Sequence, residues 1–397
     1  MSSADNGSNE ARTFRKILMR WFRRVPDNLM KALRLCTLAC YRICKFPSLI
    51  NQLCPRRGMS KTTVVTGATG HIGANLIRAL LAEGRPIRAL LHVDRRAIDG
   101  LGIEVAEGDV CNLESLCNAF AGADVVYHLA ARISLSMGDC PLVESINVVG
   151  TRNVVEACLR RGVRRLVHFS SIHALVQDPM DTPVDELRPL VESRRYPPYD
   201  RSKAAGEKEV RKGIQQGLDA IIINPTAVIG PYDYAPSHLG QALLTLARGK
   251  LPALVDGGFN WVDARDVVEG AMSAEKRAPT GAKYLLSGHW ASMCDLATMV
   301  QEVVGVPAPR FVCPLWLAPV GTPFAAAYAS ITRTRPLYTR ASLVAMRSNR
   351  NMSHEKAASE LGYSPRPLRD TIGDTLRWFA ENGYLRRSLT ANLAKRP

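Results

Sequence analysis

The sequence has no long apolar run and no CxxC pair among its ten cysteines. No stretch reaches the ~18–20 apolar residues that span a bilayer, so we expect no transmembrane helix. The cysteine spacing fits neither a small disulfide framework nor a zinc site, which predicts reduced thiols, a cytoplasmic location and no metal. A signal-peptide layout is also missing, because no apolar segment precedes a small-residue cleavage site.

Basic charge is abundant but unevenly distributed. The formal net charge is +16, and residues 1–58 hold 12 Lys/Arg against 3 Asp/Glu. The remaining 339 residues hold 40 Lys/Arg against 33 Asp/Glu and carry only +7. Because the excess lies in the N-terminal segment, we expect no nucleic-acid partner.

Residues 1–59 are predicted to be a basic, amphipathic extension. Residues 14–24 alternate basic and bulky apolar side chains, and a second helical pattern follows Pro26. Segments of this kind can lie on an anionic membrane surface, so one interpretation is peripheral membrane contact through residues 14–45. The alternatives are packing on protein, a targeting peptide and a non-native extension before Met59.

Beyond this extension, strand and helix patterns alternate, as is typical of a parallel sheet covered on both faces. The first strand is predicted at Thr62–Thr66, the first helix at His71–Ala82 and the fifth strand at Arg165–Phe169. Later the alternation fades, and Pro, Gly and aromatic residues become frequent. We predict a doubly wound α/β fold over residues 60–230 and a smaller, mainly helical substrate-binding part over residues 231–390.

A glycine-rich string follows the first predicted strand. Bare backbone there lets phosphates approach, and the N-terminus of the next helix offers N–H groups and positive dipole charge. GxxGxxG spacing is easily met by chance, but the β-branched strand before it and the apolar helix after it supply the required context. The string therefore predicts a dinucleotide site at Gly67, Thr69, Gly70, His71, Ile72 and Gly73.

The end of the second predicted strand should decide which dinucleotide binds. A carboxylate there would hold the adenosine 2′-hydroxyl and repel a 2′-phosphate. The position is His92, followed by Asp94, Arg95 and Arg96. The histidine and arginines favour NADP, whereas Asp94 favours NAD, so NADP is preferred and NAD stays open. Later strand ends predict an adenine and ribose lining of Asp109, Val110, Leu129, Ala130 and Ala131.

Tyr199 and Lys203 lie one helical turn apart, after the fifth strand and its terminal Ser170 and Ser171. Such pairs occur on many exposed helices, but ligands bind at the carboxyl ends of strands in doubly wound folds. A serine hydroxyl can hold a substrate oxygen while tyrosine exchanges its proton and lysine lowers the tyrosine pKa. The set predicts hydride-transfer chemistry, with His173 near the substrate.

These elements together resemble the extended short-chain dehydrogenase/reductase family, in the NAD-dependent epimerase/dehydratase superfamily. Within it the chain is most similar to the dihydroflavonol-4-reductase-like and 3β-hydroxysteroid dehydrogenase-like group. The resemblance covers about residues 61–385. The matching strings are TGATGHIG (66–73), GDV (108–110), HLAA (128–131), INVVGT (146–151) with Asn147, FSSI (169–172), YDRSK (199–203) and NPTAVIGP (224–231).

The resemblance implies a Rossmann fold and a catalytic set of Ser171, Tyr199 and Lys203. It makes Lys203 a ribose ligand as well, and places Pro225 and Val228 against nicotinamide. His92 departs from the arginine that NADP-using relatives often carry.

The implied activity is NAD(P)-dependent reduction of a ketone or aldehyde, or oxidation of a secondary alcohol, on a small-molecule substrate. The alternatives are a nucleotide-sugar epimerase or dehydratase with tightly held NAD, and a non-catalytic NAD(P)-sensing protein. The substrate pocket is predicted within residues 172–198 and 232–261, whose arginines leave an acidic substrate open. The sequence also leaves open whether the chain forms a homodimer.

Overall fold

A seven-stranded parallel sheet forms the centre of the computed structural model, which describes residues 62–134, 140–251, 253–322 and 338–386. The predicted extension over residues 1–59 lies outside the described residues. In spatial order the strands are β3 (Glu104–Glu107), β2 (Ile87–Leu91), β1 (Thr62–Thr66), β4 (Ala123–His128), β5 (Arg165–Phe169), β6 (Ala220–Pro225) and β10 (Lys283–Leu286).

The strand order reverses between β1 and β4. From β1 the chain proceeds outward to β2 and β3, then returns to add β4, β5 and β6 on the other side. In open α/β sheets the crevice beyond the carboxyl ends of the strands at such a reversal is where ligands bind. The doubly wound α/β fold predicted from the sequence is confirmed.

Helices cover both faces of the sheet because each buries one apolar side against it. On one face Leu76 and Ile77 pack in the same cluster as Val267 and Ala271. On the other face, Leu116, Val154 and Val210 share a second cluster. The helices of the first face are α1 (His71–Ala82) and α7 (Ala264–Arg277), and those of the second are α2 (Leu113–Ala119), α4 (Gly150–Arg161) and α5 (Pro198–Gln215).

A short helix and a wide turn precede α4. Helix α3 spans Pro141–Glu144, and residues Ser145–Val149 form a single π turn before α4 continues in the same direction. Residues 141–161 therefore form one helical stretch that carries a bulge. Such bulges occur frequently at functional sites.

The remaining elements build a third apolar cluster beside the sheet. A three-stranded sheet joins β7 (Ala227–Ile229), β9 (Gly258–Asp263) and β11 (His289–Ser292), and a two-stranded ribbon joins β8 (Leu254–Val255) and β12 (Val312–Cys313). The helices of this region are α6 (His238–Ala247), α8 (Met293–Val304), α9 (Arg340–Ala345) and α11 (Leu368–Glu381), while α10 (Glu355–Leu361) packs in the cluster of α1 and α7.

The seventh strand comes from a part of the chain where the sequence predicts mainly helices. Strand β10 pairs with β6 and completes the sheet, and α7 covers a face of it. Residues 60–230 thus hold six of the seven strands. The sequence pattern does not reveal β10, because it has only four residues and lies between Gly281 and Gly288.

No helix among the described residues is long and apolar enough to cross a bilayer.

Candidate active site

A cavity of about 390 Å³ opens at the carboxyl ends of β1, β4 and β5, where the strand order reverses. Its walls bring together residues that are far apart in sequence. One end holds the glycine turn, the middle holds Ser171, Tyr199 and Lys203, and the other end is mainly apolar. Of the predicted cofactor residues, those lining it are Gly67, Gly70, His71, Ile72, Gly73, Leu129, Ala131, Lys203, Pro225 and Val228.

The turn between β1 and α1 is shaped for a phosphate. Gly67 has a φ of +69°, which favours glycine, and its carbonyl accepts a hydrogen bond of 3.1 Å from the Gly70 N–H. Helix α1 then begins at His71, and no side chain caps its N-terminus. The helix start therefore presents N–H groups and positive dipole charge to the cavity.

Two of these glycines are also required for packing. A Cβ at Gly73 would lie 2.2 Å from the Gly67 carbonyl oxygen, closer than any real contact. A Cβ at Gly67 would lie 2.6 Å from the Ala130 nitrogen, which follows β4. Ala130 is thus a packing residue that holds the end of β4 against the turn, rather than part of the cavity lining.

His71 and Asn75 tie the start of α1 to the chain that follows β7. The His71 Nε2 lies 3.1 Å from the carbonyl oxygens of both Gly230 and Pro231, and with two acceptors it must carry the proton. The Asn75 side chain donates to the same Pro231 oxygen at 2.9 Å. These contacts fix the glycine turn relative to strands β6 and β7, which carry Pro225 and Val228.

Helix α5 positions the tyrosine and the lysine. Pro198 sits in its first turn, and Tyr199 and Lys203 follow on one face, toward the cavity. The Lys203 ammonium donates a 2.7 Å hydrogen bond to the Phe169 carbonyl at the end of β5. The lysine is buried, so this bond fixes its head group at the edge of the sheet.

Ser171 caps a short 3₁₀ turn, Ile172–Ala174, at the end of β5. Its hydroxyl accepts a hydrogen bond from the His173 N–H at 3.2 Å and also contacts Tyr199. The neighbouring Ser170 hydroxyl is buried without a hydrogen-bond partner among the described residues. The contact with Tyr199 favours Ser171 over Ser170 as the functional serine.

Burial controls the protonation of this group. It raises the pKa of Tyr199 to about 12, and the hydrogen bond with Ser171 works against that rise. It lowers the pKa of Lys203 to about 8, with the Glu207 carboxylate acting in the opposite direction. Ser171, rather than Lys203, is the neighbour that lowers the tyrosine pKa here. The predicted effect of Lys203 on Tyr199 therefore stays a prediction.

A buried polar network supports the serine and lysine from below. Glu207, one turn after Lys203, is fully buried and forms a 2.7 Å ion pair with Lys283 of β10. The Asn224 side-chain amide donates to Glu207 Oε1 at 2.7 Å and to the Ser171 carbonyl at 2.9 Å. The network links α5, β6 and β10 to the backbone of Ser171. No local pattern in the sequence reveals this network, because its members are far apart in the chain.

Asn147 in the π turn connects the loop after β4 to α5. Its side-chain amide donates to the Ser202 hydroxyl at 2.8 Å and to the Arg132 carbonyl at 3.0 Å. Its oxygen accepts from the Arg132 N–H at 2.7 Å. The wide turn lets one side chain reach both partners, so the loop carrying Leu129 and Ala131 is held beside the helix carrying Tyr199.

Two neutral histidines lie beneath Lys203. Burial and the lysine charge lower the pKa of His128 to about 3, and burial and His128 lower the pKa of His168 well below its usual range. The His128 ring contacts the Thr66 hydroxyl at 2.8 Å and the Thr151 hydroxyl at 3.1 Å. His128 thus serves as a hydrogen-bonding group within the sheet, whereas His168, whose ring nitrogens have no hydrogen-bond partner among the described residues, packs against it with ring centroids 5.3 Å apart.

The predicted adenine and ribose residues separate into two sets. His92 and Asp109 are solvent-exposed at the ends of β2 and β3, 3.8 Å apart between Nε2 and Oδ2. Val110 is buried against Gly150 of α4, where a Cβ would lie 2.9 Å from its side chain. Val110 therefore packs α4 against the sheet. His92 and Asp109 remain the candidates for the adenine and ribose lining.

The loop after β2 is dominated by local ion pairs. Asp94 binds the Arg96 guanidinium at 2.6 Å, and Arg96 lowers its pKa. Arg95 pairs with Asp99 at 2.7 Å. The carboxylate that would favour NAD is thus already engaged by an arginine.

The substrate end draws on both predicted segments, most of all on residues 232–261. From residues 172–198 only His173 and Pro197 line it, and no arginine lines the cavity within the described ranges. Six further lining residues lie outside both predicted segments, three of them in α9, and no local motif marks them. The lining on this side comprises Ser237, His238, Leu239, Ala242, Leu251, Phe259, Trp261, Met293, Tyr338, Ala341, Ser342, Ala345 and Met346.

A protein-family model described as the NAD dependent epimerase/dehydratase family matches residues 63–286, more than half of the chain. The chain belongs to this family. A sterol demethylase protein B of Methylococcus capsulatus is 36% identical, covering 82% of this chain and 100% of the relative. A 4-hydroxy-2-methyl-3-oxo-4-farnesyl-3,4-dihydroquinoline-1-oxide ketoreductase of Stigmatella aurantiaca is 30% identical, over 79% of this chain and 95% of its own length.

Further relatives and solved structures agree with this assignment. The 3beta-hydroxysteroid-dehydrogenase/decarboxylase isoform 1 of Arabidopsis thaliana is 28% identical over 80% of this chain and 79% of its own. The crystal structure of gox2253 has a TM-score of 0.72 at 36% identity, over 82% of this chain and 100% of that one. PA4631, a nucleoside-diphosphate-sugar epimerase from Pseudomonas aeruginosa, has a TM-score of 0.66 at 26% identity, over 83% of this chain and 100% of that one.

Membership in the epimerase/dehydratase family confirms two predictions made from the sequence. The chain is an extended short-chain dehydrogenase/reductase, and it is an NAD(P)-dependent oxidoreductase. The family's cofactor is a nicotinamide dinucleotide.

Proposed function

We propose that this protein interconverts a ketone or aldehyde and an alcohol on a large apolar molecule, using Ser171, Tyr199 and Lys203. The observation that carries the proposal is that one cavity joins these three side chains to a glycine turn on one side and an apolar chamber on the other. Hydride transfer requires the cofactor and the substrate carbon to meet beside a proton donor.

The nucleotide end fits a dinucleotide because α1 starts without a side-chain cap and bare glycine backbone faces the cavity. Gly70, His71 and Ile72 would hold the pyrophosphate, Lys203 the nicotinamide ribose, and Pro225 and Val228 the nicotinamide ring. When bound, the nicotinamide supplies or accepts the hydride.

Tyr199 is the proposed acid and base. With a pKa raised to about 12 it keeps its proton at neutral pH, so it can donate to the substrate oxygen during reduction. Ser171 orients that oxygen, since its hydroxyl already contacts Tyr199. The Lys203 ammonium, held by the Phe169 carbonyl, favours the charge that develops on Tyr199 as the proton leaves.

The lining of the far end favours an apolar substrate. Phe259, Trp261, Met293 and Met346 line it, and Lys203 and Asp200 are the charged groups of the described lining. A nucleotide sugar brings a diphosphate, which sites usually bind through arginine or lysine. The printed names of the relatives include a sterol, a hydroxysteroid and a farnesyl-bearing quinoline, which support a large apolar substrate.

NADP is the proposed cofactor. Arg96 already engages the Asp94 carboxylate, and His92 is exposed at the position that would read the 2′ group. A 2′-phosphate could then be held by His92 with Arg95 and Arg96. Arg96→Gln should lower the ratio of NADPH to NADH affinity, measured by nicotinamide fluorescence. An unchanged ratio would remove Arg96 from cofactor selection.

The epimerase structure that is 26% identical favours a second candidate, a nucleotide-sugar epimerase or dehydratase with tightly held NAD. Mass spectrometry of the cofactor retained on the purified protein separates the two candidates. The proposal expects exchangeable NADPH and its oxidation with alicyclic ketones of increasing size. Retained NAD together with conversion of UDP-glucose and no ketone turnover would overturn it.

A further inference from the structure

An exposed apolar surface lies beside the substrate end of the cavity. Within ten residues of chain, the exposed fractions are 62% for Phe311, 73% for Trp316 and 64% for Val320, and Val312 and Leu317 are 40% exposed. We call these five residues the apolar patch. Single exposed hydrophobic residues are ordinary, but several together mark a surface that contacts another apolar phase.

The patch is structurally connected to the cavity wall. The Leu254 N–H donates to the Phe311 carbonyl at 2.9 Å as β8 pairs with β12. The Tyr338 hydroxyl reaches the Ala253 carbonyl at 3.4 Å, and Tyr338 and Leu251 line the cavity. One short ribbon therefore separates the patch from the substrate chamber.

The chain around the patch carries charge of one sign. Residues 303–354 contain no aspartate or glutamate and six arginines. Of these, Arg310, Arg340, Arg347 and Arg350 are exposed, and Arg333 and Arg335 lie outside the described residues. Arg310 directly precedes Phe311 in the chain, and an exposed cation beside such a patch adds attraction for an anionic lipid surface, while tryptophan prefers the bilayer interface.

We infer that the apolar patch is a docking surface for an anionic lipid bilayer. Docking there brings the substrate chamber to the phase in which a large apolar ketone or alcohol is concentrated. This consequence rests on the proposed function, whereas the docking itself rests on the exposure and the charge. It is independent of the predicted membrane contact through residues 14–45.

The test uses vesicles of phosphatidylglycerol and dibrominated phosphatidylcholine, because bromine quenches tryptophans that enter the bilayer. The full chain has five tryptophans, so Trp316→Phe, which keeps an apolar ring, isolates the signal of Trp316. We expect quenching of the wild type to exceed that of Trp316→Phe. Trp290→Phe is the matched control, since Trp290 is not one of the five patch residues and lies in β11 beneath the Arg350 guanidinium, and it should quench like the wild type.

A second variant tests binding itself. Phe311→Ser with Trp316→Ser should weaken the vesicle partition coefficient at least about tenfold, and Leu187→Ser, an exposed leucine outside the patch, should not. Equal quenching in wild type and Trp316→Phe overturns the inference. So does a patch variant that changes the oligomeric state in lipid-free solution, because the patch would then join copies of the chain.

Activity distinguishes this inference from the proposed function. If only the docking is wrong, all patch variants and the wild type still oxidise NADPH with a ketone in detergent. If the proposed function is wrong, none of them does, whatever the vesicle results.

Discussion

The two ends of the cavity are built in different ways. The nucleotide end is made of contiguous backbone, where Gly67, Gly70 and Gly73 lie within seven residues and no added Cβ fits at two of them. The substrate end is made of side chains from α6, β9, α8 and α9, more than a hundred residues apart. Backbone recognition of a common cofactor is therefore compact in sequence, whereas the shape of a substrate chamber is assembled from distant elements.

Breaking the nucleotide end should have the largest effect. Gly73→Val places side-chain carbon where a Cβ already comes within 2.2 Å of the Gly67 carbonyl, so cofactor binding should be undetectable by nicotinamide fluorescence. Gly70→Ala is the milder control, because its Cβ would lie 3.3 Å from the same oxygen. A folded Gly73→Val protein with unchanged affinity would contradict the predicted phosphate site.

Removing the proposed proton donor, Tyr199, should affect the chemical step but not binding at either end of the cavity. Tyr199→Phe should lower kcat by about 10²–10⁴-fold and leave cofactor affinity unchanged, because only the hydroxyl is lost. Steady-state kinetics with a fluorescence titration measure both quantities. Near-full turnover in this variant would exclude Tyr199 as the acid.

Replacing Lys283 tests how much β10, the strand that the sequence does not predict, contributes to stability through its ion pair with Glu207. Lys283→Met leaves the buried Glu207 carboxylate without its partner, which should lower the free energy of unfolding by about 3–5 kcal/mol. Urea denaturation measures the change. Adding Glu207→Leu to Lys283→Met should recover much of the lost free energy of unfolding. A Lys283→Met protein as stable as the wild type would show that the ion pair is dispensable.

The substrate end should respond more weakly and selectively. Phe259 lines the chamber and packs edge-on against Trp261 at 5.2 Å, so Phe259→Ala should lower kcat/KM for a large apolar ketone by about tenfold. A small ketone and the cofactor affinity should be unaffected. Equal losses for both ketones would indicate a general defect rather than a loss of substrate contacts.

The pH dependence should give the smallest effect. Lys203, with its pKa lowered to about 8, is charged below that pH and neutral above it. The kcat/KM for the cofactor should therefore fall as the pH rises through about 8. Lys203→Arg keeps its charge, so this decline should disappear in that variant. A decline that persists unchanged would assign it to another group.

Local sequence was sufficient for much of the sheet. The predicted bounds of β1, α1 and β5 agree with the structure to the residue, because each combines a clear apolar pattern with a nearby glycine. The three side chains proposed for catalysis were also predictable, since Tyr199 and Lys203 share one helix and Ser171 ends a strand. The structure brings them to one cavity, as the strand order implies.

Which distant segments meet is set by long-range packing and cannot be read from local sequence. Strand β10 is too short to have a periodic signature, and its Lys283 is informative only once it pairs with Glu207 of helix α5. The α9 lining of the chamber likewise has no motif, because apolar residues fit many surroundings equally well. Sequence by itself determined the sites where backbone geometry restricts the residue type. Tertiary packing determined the shape of the substrate chamber, because that shape depends on long-range contacts rather than on local conformation.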